Sequence, residues 1–301
     1  MPKLRYHLPS CYTSELSGFY PMHTLSRFLT FIRFSHTIFA LPFALGSMLA
    51  AAQGWPGIRI FTLILICMIS ARTAAMIFNR LVDWEIDKRN PRTAARHLLL
   101  DRSVAVIACV LSSLLFVVTT AFLNRLCLFL SPVALAIIFF YSLTKRFTHA
   151  AQFFLGLALS VSPVGAWIAV TGTIALPPLI LSMGVICWVA GFDIIYATQD
   201  LEADQREGLH SLVVLLGTSR ALALAGWLHI IVLIFLFLFG ISVPLGKIYF
   251  LGLLPIPFLL MYEHRIARTL ELGRINRAFF ETNAAIGVLF VVIVSIDLLL
   301  K

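Results

Sequence analysis

The sequence predicts an all-α, polytopic membrane protein, a bundle of about nine transmembrane helices, and three observations carry that prediction. Of 301 residues, 60% are hydrophobic and only 12% charged, a balance that excludes a soluble domain of this length. The apolar runs are unbroken over about 20 residues, as spanning helices need, whereas barrel strands would be shorter and alternate. The charged residues gather between those runs rather than within them. A helix also satisfies its own backbone polar groups, which lipid cannot do.

Taken in order, residues 1–24 read as an N-terminal cytoplasmic extension and 25–301 as a single transmembrane domain. The extension lacks the compact apolar core of a cleavable signal, and Met22 opens a second possible start, which would make 1–21 dispensable. The expected spans are 28–50, 58–79, 103–122, 126–143, 151–171, 176–196, 219–240, 247–262 and 282–300. Pro42, Pro132, Pro163, Pro177, Pro178, Pro255 and Pro257 fall inside or at the ends of these, which helix bundles in lipid tolerate. The eighth span is the shortest and holds two prolines, Pro255 and Pro257.

Basic residues orient the chain. Arg80, Lys88, Arg89, Arg92, Arg96, Lys145, Arg146, Arg265 and Arg268 all fall on the side of the N-terminus. The other side holds Arg59, Arg125, Lys247 and Lys301. The positive-inside rule therefore puts the N-terminus in the cytoplasm and the C-terminus outside. The net charge of +9 is too dispersed for a nucleic-acid partner. Cys11, Cys67, Cys109, Cys127 and Cys187 are scattered and form neither a disulfide framework nor a zinc site.

Two acidic stretches carry the chemistry. In NRLVDWEID (79–87), Asn79, Asp83 and Asp87 stand at i, i+4 and i+8, one stripe of a helix. In DIIYATQDLEAD (193–204), Asp193, Tyr196, Asp200 and Asp204 share one face. The offset from Asp83 to Asp200 is 117 residues, as is that from Asp87 to Asp204, which suggests an internal duplication. Two facing carboxylate stripes repel unless cations lie between them. Mg²⁺ suits that place, because it takes carboxylate oxygens while keeping water and phosphate oxygens in its shell.

Basic groups fall at the same depth. Lys145 and Arg146 close the fourth span after Tyr141, and Arg33 opens the first. Arg72 lies inside a span, two turns before Asn79, where a charge is costly and functional by default. Divalent cations together with Lys and Arg read as a site that stabilises a diphosphate leaving group. Glu85 and Glu202 fall off the acidic stripes and are expected to face away. His36, His149 and His229 have no metal-ligand spacing and read as structural. The plainer alternatives are surface pairing of Asp83 and Asp87 with Arg80 or Lys88, and Lys145 and Arg146 as membrane anchors. A different function class, a membrane cation transporter with duplicated acidic ion sites, would place its acids near the midplane of broken helices.

At these residues the chain resembles the UbiA superfamily of intramembrane prenyltransferases, whose signatures are N-x-x-x-D-x-x-x-D after the second helix and D-x-x-x-D after the sixth. FIRFSHTIFALPFAL (31–45), NPRTAAR (90–96), YSLTKRFT (141–148), SPVGAWIAVTG (162–172) and INRAFFETNAAIG (275–287) are similar to the 4-hydroxybenzoate polyprenyltransferase branch. Trp84 departs from the pattern but lies off the stripe.

The resemblance implies a bundle around a central lipid-open cavity with cytoplasmic caps, in the bacterial cytoplasmic (inner) membrane. It implies Mg²⁺ held by Asn79, Asp83, Asp87, Asp200 and Asp204, the four aspartates forming the catalytic set. Lys145, Arg146, Arg33, Arg72, Tyr141 and Tyr196 would hold the diphosphate, and Asp193 matches the extended second motif without an assigned role. The implied substrates are a polyprenyl diphosphate and an aromatic acid of quinone biosynthesis. Both 4-hydroxybenzoate and a dihydroxynaphthoate stay open as acceptors, because NPRTAAR occurs with either.

Overall fold

The computed structural model describes residues 24–33, 39–89, 93, 98–269 and 272–301. The expected extension before Thr24, Met22, Cys11 and His36 lie outside the described residues. Every regular element among the described residues is helical: α1 (Thr24–Phe31), α2 (Leu41–Ala52), α3 (Ile58–Val82), α4 (Trp84–Arg89), α5 (Arg102–Leu123), α6 (Arg125–Thr144) and α7 (Ala151–Thr171). These are followed by α8 (Leu176–Ala197), a 3₁₀ turn (Thr198–Asp200), α9 (Leu201–Arg206), α10 (Leu212–Ser242), α11 (Lys247–Gly252), α12 (Pro255–Ala267) and α13 (Leu272–Leu299). Seven of the helices are long and apolar enough to cross a bilayer. Their outer faces carry exposed Ile107, Leu111, Phe129 and Trp227, apolar side chains that lipid solvates favourably. The chain is an integral membrane protein.

Two expected spans are not single helices. The first is divided between α1 and α2 by a stretch that includes residues outside those described. The eighth is divided into α11 and α12 at Leu253–Leu254, because Pro255 has no amide hydrogen to continue the ladder. The start of α11 is held from below by α13: Asp297, buried, accepts from Gly246 N at 2.6 Å and Tyr249 N at 3.0 Å. The seventh span begins earlier than expected, at Ser211, whose hydroxyl caps Val214 N at 3.2 Å. A break follows at Gly217, where φ is +75°.

α8 is the axis of the bundle. Its Trp188, Val189, Ala190 and Ile194 are wholly buried, with Trp188 against Phe43 and Phe192 at ring-centroid distances of 4.9 Å each. α7 and α10 flank it. A Cβ at Gly156 would stand 2.6 Å from the Ile186 carbonyl oxygen, so glycine is what lets α7 touch the α8 backbone. α2 fits beside α7 and α13, with Ser47 Oγ donating to Pro163 O at 2.7 Å. These helices enclose a chamber between α3, α6, α7 and α8.

Candidate active site at the chamber mouth

The chamber has a volume of about 790 Å³ and is apolar over most of its length. At one end every predicted site residue faces it: Arg33, Arg72, Asn79, Asp83, Asp87, Tyr141, Lys145, Arg146, Asp193, Tyr196, Asp200 and Asp204 all line the same space. They come from α3, α6 and α8 and the residues that follow α3 and α6, from the 3₁₀ turn, from the short helices α4 and α9, and, for Arg33, from the turn after α1.

The first acidic wall is not one helix. α3 stops at Val82 and α4 starts at Trp84, with Asp83 between them at φ −92°, ψ 14°. The spacing survives the break because the backbone bonds continue: Asp83 N donates to Asn79 O at 3.0 Å and Asp87 N to Asp83 O at 2.7 Å. Asn79 Nδ2 lies 3.4 Å from Asp83 Oδ2, so the two side chains meet as the i, i+4 stripe requires. Buried Arg80 holds Asp87 at 3.5 Å and is itself held by Phe31 O at 3.3 Å. The pairing of Asp87 with Arg80 is thus present, and Asp87 lines the chamber as well. Trp84 is buried away from the stripe.

The second wall also changes helix type along its length. Asp193 and Tyr196 belong to α8, Asp200 to the 3₁₀ turn and Asp204 to α9. Asp200 and Asp204 are both buried. Tyr196 OH accepts from Arg33 Nη1 at 3.4 Å. Arg33 sits at φ +46°, a conformation that side-chain-bearing residues seldom adopt.

Two cations join the walls. Lys145 Nζ stands 3.5 Å from Asp204 Oδ2, and Arg146 Nη2 stands 3.2 Å from Asp83 Oδ1 and 2.8 Å from Val82 O. Burial works against the Lys145 ammonium, but Asp204, Asp193, Asp200 and Asp83 together outweigh it and hold its pKa above the ordinary lysine value. Lys145 therefore stays charged among carboxylates from both stretches. Burial pushes the Asp83 carboxyl above the usual carboxylate range, with Arg146 opposing and Asp87 adding to the shift.

Glu85 and Glu202 point out of the chamber, as expected, onto Lys88 at 3.1 Å and Arg206 at 2.9 Å. His149 bonds Ser211 O at 3.2 Å and His229 bonds His264 at 2.9 Å, both in packing roles away from the acids. Cys67, Cys109, Cys127 and Cys187 are free and buried.

Several features of the mouth escaped sequence reasoning. Arg89 of α4 pairs with Glu207, just after α9, at 2.8 Å, so the two caps are tied directly. Thr93, within NPRTAAR, donates to Asp87 O at 2.9 Å and lines the chamber. Phe39, Phe192 and Phe279 also line it, forming a cluster with centroid distances of 5.2–5.7 Å, and Phe279 lies 4.8 Å from the Tyr196 ring. Phe39, Thr93 and Phe279 stood in the quoted segments 31–45, 90–96 and 275–287, but the cluster itself joins three remote parts of the chain.

Among the described residues no three His, Cys, Asp or Glu side chains form a ready-made metal nest. The donors nonetheless suit a hard divalent cation, since an amide and four carboxylates surround one space that is already bridged by positive charge.

Fold and site together define a class: a polytopic α-helical membrane protein whose apolar chamber ends in two facing acidic walls joined by basic side chains. The family described as the UbiA prenyltransferase family matches residues 40–287, and the chain belongs to that family. It is 31% identical over 245 residues to a 4-hydroxybenzoate octaprenyltransferase from Vibrio cholerae, covering 79% of this chain and 85% of that one. It is 29% identical over 262 residues to a protein of the same name from Francisella tularensis, with 85% and 89% covered. Among solved structures, the apo form of a UbiA homolog from Aeropyrum pernix superposes with a TM-score of 0.79 at 29% identity, over 87% of this chain and 98% of that one. A UbiA homolog from Archaeoglobus fulgidus bound to GPP and Mg²⁺ shares the fold at a TM-score of 0.71 and 20% identity, over 91% and 99%.

Proposed function

We infer that this protein transfers a polyprenyl chain from polyprenyl diphosphate to an aromatic acid, with 4-hydroxybenzoate as acceptor, in quinone biosynthesis. The observation that carries this reading is one continuous space with two acidic walls and two bridging cations at its mouth and an apolar lumen behind them. A substrate with a diphosphate head and a hydrocarbon tail needs both halves of that space. The names of the relatives support the acceptor, and the solved homolog bound to GPP and Mg²⁺ supports a prenyl diphosphate and a divalent metal.

Asn79, Asp83 and Asp87 on one wall, with Asp200 and Asp204 on the other, are the residues that would hold Mg²⁺. Bound Mg²⁺ would neutralise the diphosphate and stabilise its charge as a leaving group. Lys145 and Arg146 meet phosphate oxygens from the α6 end, Arg33 and Arg72 from the first and second spans, and Tyr141 and Tyr196 donate hydroxyl hydrogens. The carbon–oxygen bond to the prenyl chain breaks, its electron pair leaves with the diphosphate, and an allylic cation remains. The ring faces of Phe39, Phe192 and Phe279 stabilise that cation beside the mouth, and the apolar lumen keeps water from quenching it. A ring carbon next to the acceptor hydroxyl then forms the new bond and releases a proton. Asp193, on the wall between Phe192 and Tyr196, lines the same space.

The excess of Lys and Arg on the N-terminal side supports a cytoplasmic mouth, and the bacterial relatives support the inner membrane. NPRTAAR occurs with either acceptor, which makes a dihydroxynaphthoate the second one to test. The acids lie at helix ends rather than at mid-membrane depth, which counts against a transporter. The test is a transfer assay on membranes containing the protein, with labelled polyprenyl diphosphate, Mg²⁺, and either 4-hydroxybenzoate or 1,4-dihydroxy-6-naphthoate. Prenylated benzoate is expected. A folded preparation that prenylates only the naphthoate, or neither acid, overturns the assignment of acceptor.

A further inference from the structure

Behind the aromatic cluster of the mouth lies a polar chain that does not line the chamber. Glu263, near the end of α12, and Asn283 of α13 are 1% and 0% exposed. Asn283 Nδ2 donates one hydrogen to Glu263 Oε1 at 2.7 Å and the other to Phe279 O at 2.8 Å. The direction of the amide is fixed, because a backbone carbonyl can only accept. Glu263 Oε2 and Asn283 Oδ1 have no hydrogen-bond partner among the described residues. A carboxyl kept in such a place is costly, and apolar side chains of similar size would join two helices at less cost.

The next residue carries the chain to the other side of α12. His264 bonds His229 of α10 at 2.9 Å, and His229 lies directly on α8, where a Cβ at Gly191 would overlap its ring. The last turn of α12 thus grips α10 with one side chain and α13 with its neighbour. One turn before Asn283, α13 presents Phe279 to Phe192 at 5.2 Å and to Tyr196 at 4.8 Å, both on α8. The connections close on themselves, leaving α8 at Gly191 and returning to it at Phe192 and Tyr196. Phe279 lines the chamber, and Tyr196, against which its ring rests, accepts from Arg33 at 3.4 Å.

We propose that Asn283 and Glu263 are positioning residues for prenyl transfer: held by Glu263, the Asn283 amide fixes the Phe279 backbone and so the place of its ring beside Tyr196. The inference rests on the prenyl-transfer reading above. Neither residue lines the space that a substrate would enter. Their effect on the reaction passes through one ring, and it falls on the step that forms the cation rather than on substrate binding.

The test measures kcat and KM for octaprenyl diphosphate with 4-hydroxybenzoate, in membranes, for the wild type, Phe279→Leu, Asn283→Leu and the double variant. Asn283→Leu is expected to lower kcat about tenfold at an unchanged KM, the scale of one displaced aromatic face beside a developing cation. In the Phe279→Leu background the same change lowers kcat no further, since the ring through which it acts is gone. Glu263→Leu matches Asn283→Leu, and Glu263→Gln, which keeps an accepting oxygen, recovers most of that loss. If the leucine variant does not fold, Asn283→Ser gives the same reading, because its single hydroxyl hydrogen cannot serve both partners. Additive losses of kcat in the double variant, losses confined to KM, or a wild-type kcat in the folded Asn283 and Glu263 variants to leucine overturn the proposal. So does a Glu263→Gln protein as slow as Glu263→Leu. A folded wild type that transfers no chain to either aromatic acid rejects the transfer reading itself, whereas wild-type transfer with additive losses rejects only the positioning role.

Discussion

Lys145 and Asp204 face each other at 3.5 Å, one from the end of α6 and the other from the short helix α9. Through this pair the second acidic wall is fastened to the helix whose next residue, Arg146, grips the first wall at Asp83. The backbone repeats the connection, since His210 N donates to Lys145 O at 2.7 Å.

Replacing that cation should therefore cost chemistry rather than folding. Lys145→Met is expected to lower the rate of transfer by about a hundredfold or more, the cost of removing one preorganised charge-stabilising donor. The protein should remain in the membrane. Turnover close to that of the wild type would remove Lys145 from the site.

The aspartates and glutamates should separate cleanly. Asp83→Ala and Asp200→Ala should each abolish transfer, while Glu85→Gln, whose side chain is spent on Lys88 outside the chamber, should leave it within about twofold, as an exposed pair contributes little. Turnover measured side by side in one membrane preparation decides this.

Metal dependence should follow the donor set. Chelation with EDTA should stop transfer and added Mg²⁺ restore it, with binding of a fluorescent prenyl diphosphate analogue lost and regained in parallel. Transfer that persists in EDTA would contradict the roles proposed for the two walls.

Acidification should weaken Mg²⁺ binding early. The Asp83 carboxyl is held above the usual carboxylate range, so as pH falls it takes up its proton, and stops being a ligand, before an ordinary aspartate would. Apparent Mg²⁺ affinity, measured by titration over falling pH, should begin to decline above the range in which an ordinary aspartate takes up its proton. Asp83→Asn should flatten that early decline.

Packing of α7 on α8 should be intolerant of bulk. A side chain at Gly156 meets the Ile186 backbone, with Cα at 2.9 Å as well as the carbonyl oxygen, and backbone cannot swing aside. Gly156→Ala should cost about 1–3 kcal/mol, read as a lower unfolding temperature in detergent; an unchanged temperature would mean that the helices separate freely.

Much of this protein was legible in the sequence because membrane and helix impose short-range rules. A long apolar run has one stable answer in lipid, so a helical membrane bundle follows from composition and run length, and seven of the nine expected spans stand as helices long and apolar enough to cross a bilayer. Residues four apart share a helix face, so Asn79, Asp83 and Asp87 could be grouped from spacing, and they meet even though the helix is interrupted at Asp83, because the i to i+4 backbone bonds persist across the break. Glu85 and Glu202 could be sent outward by the same rule.

What spacing cannot express is which distant helix ends face one another. The bond between Arg89 and Glu207, the Phe39–Phe192–Phe279 cluster and the hydrogen bond from Asn124 to Ile168 O each join residues far apart in the chain. Their energies arise only once the helices have packed, and glycines such as Gly156 decide how closely. The breaks in the first and eighth spans belong to this group too. Their residues are apolar enough for a continuous helix, and it is Pro255, together with the buried Asp297 of α13 capping α11, that stabilises the divided form of the eighth. Local periodicity determined the elements and the two stripes; the tertiary structure alone decided that the stripes face each other across one lumen, because that depends on helix packing between segments that no local pattern relates.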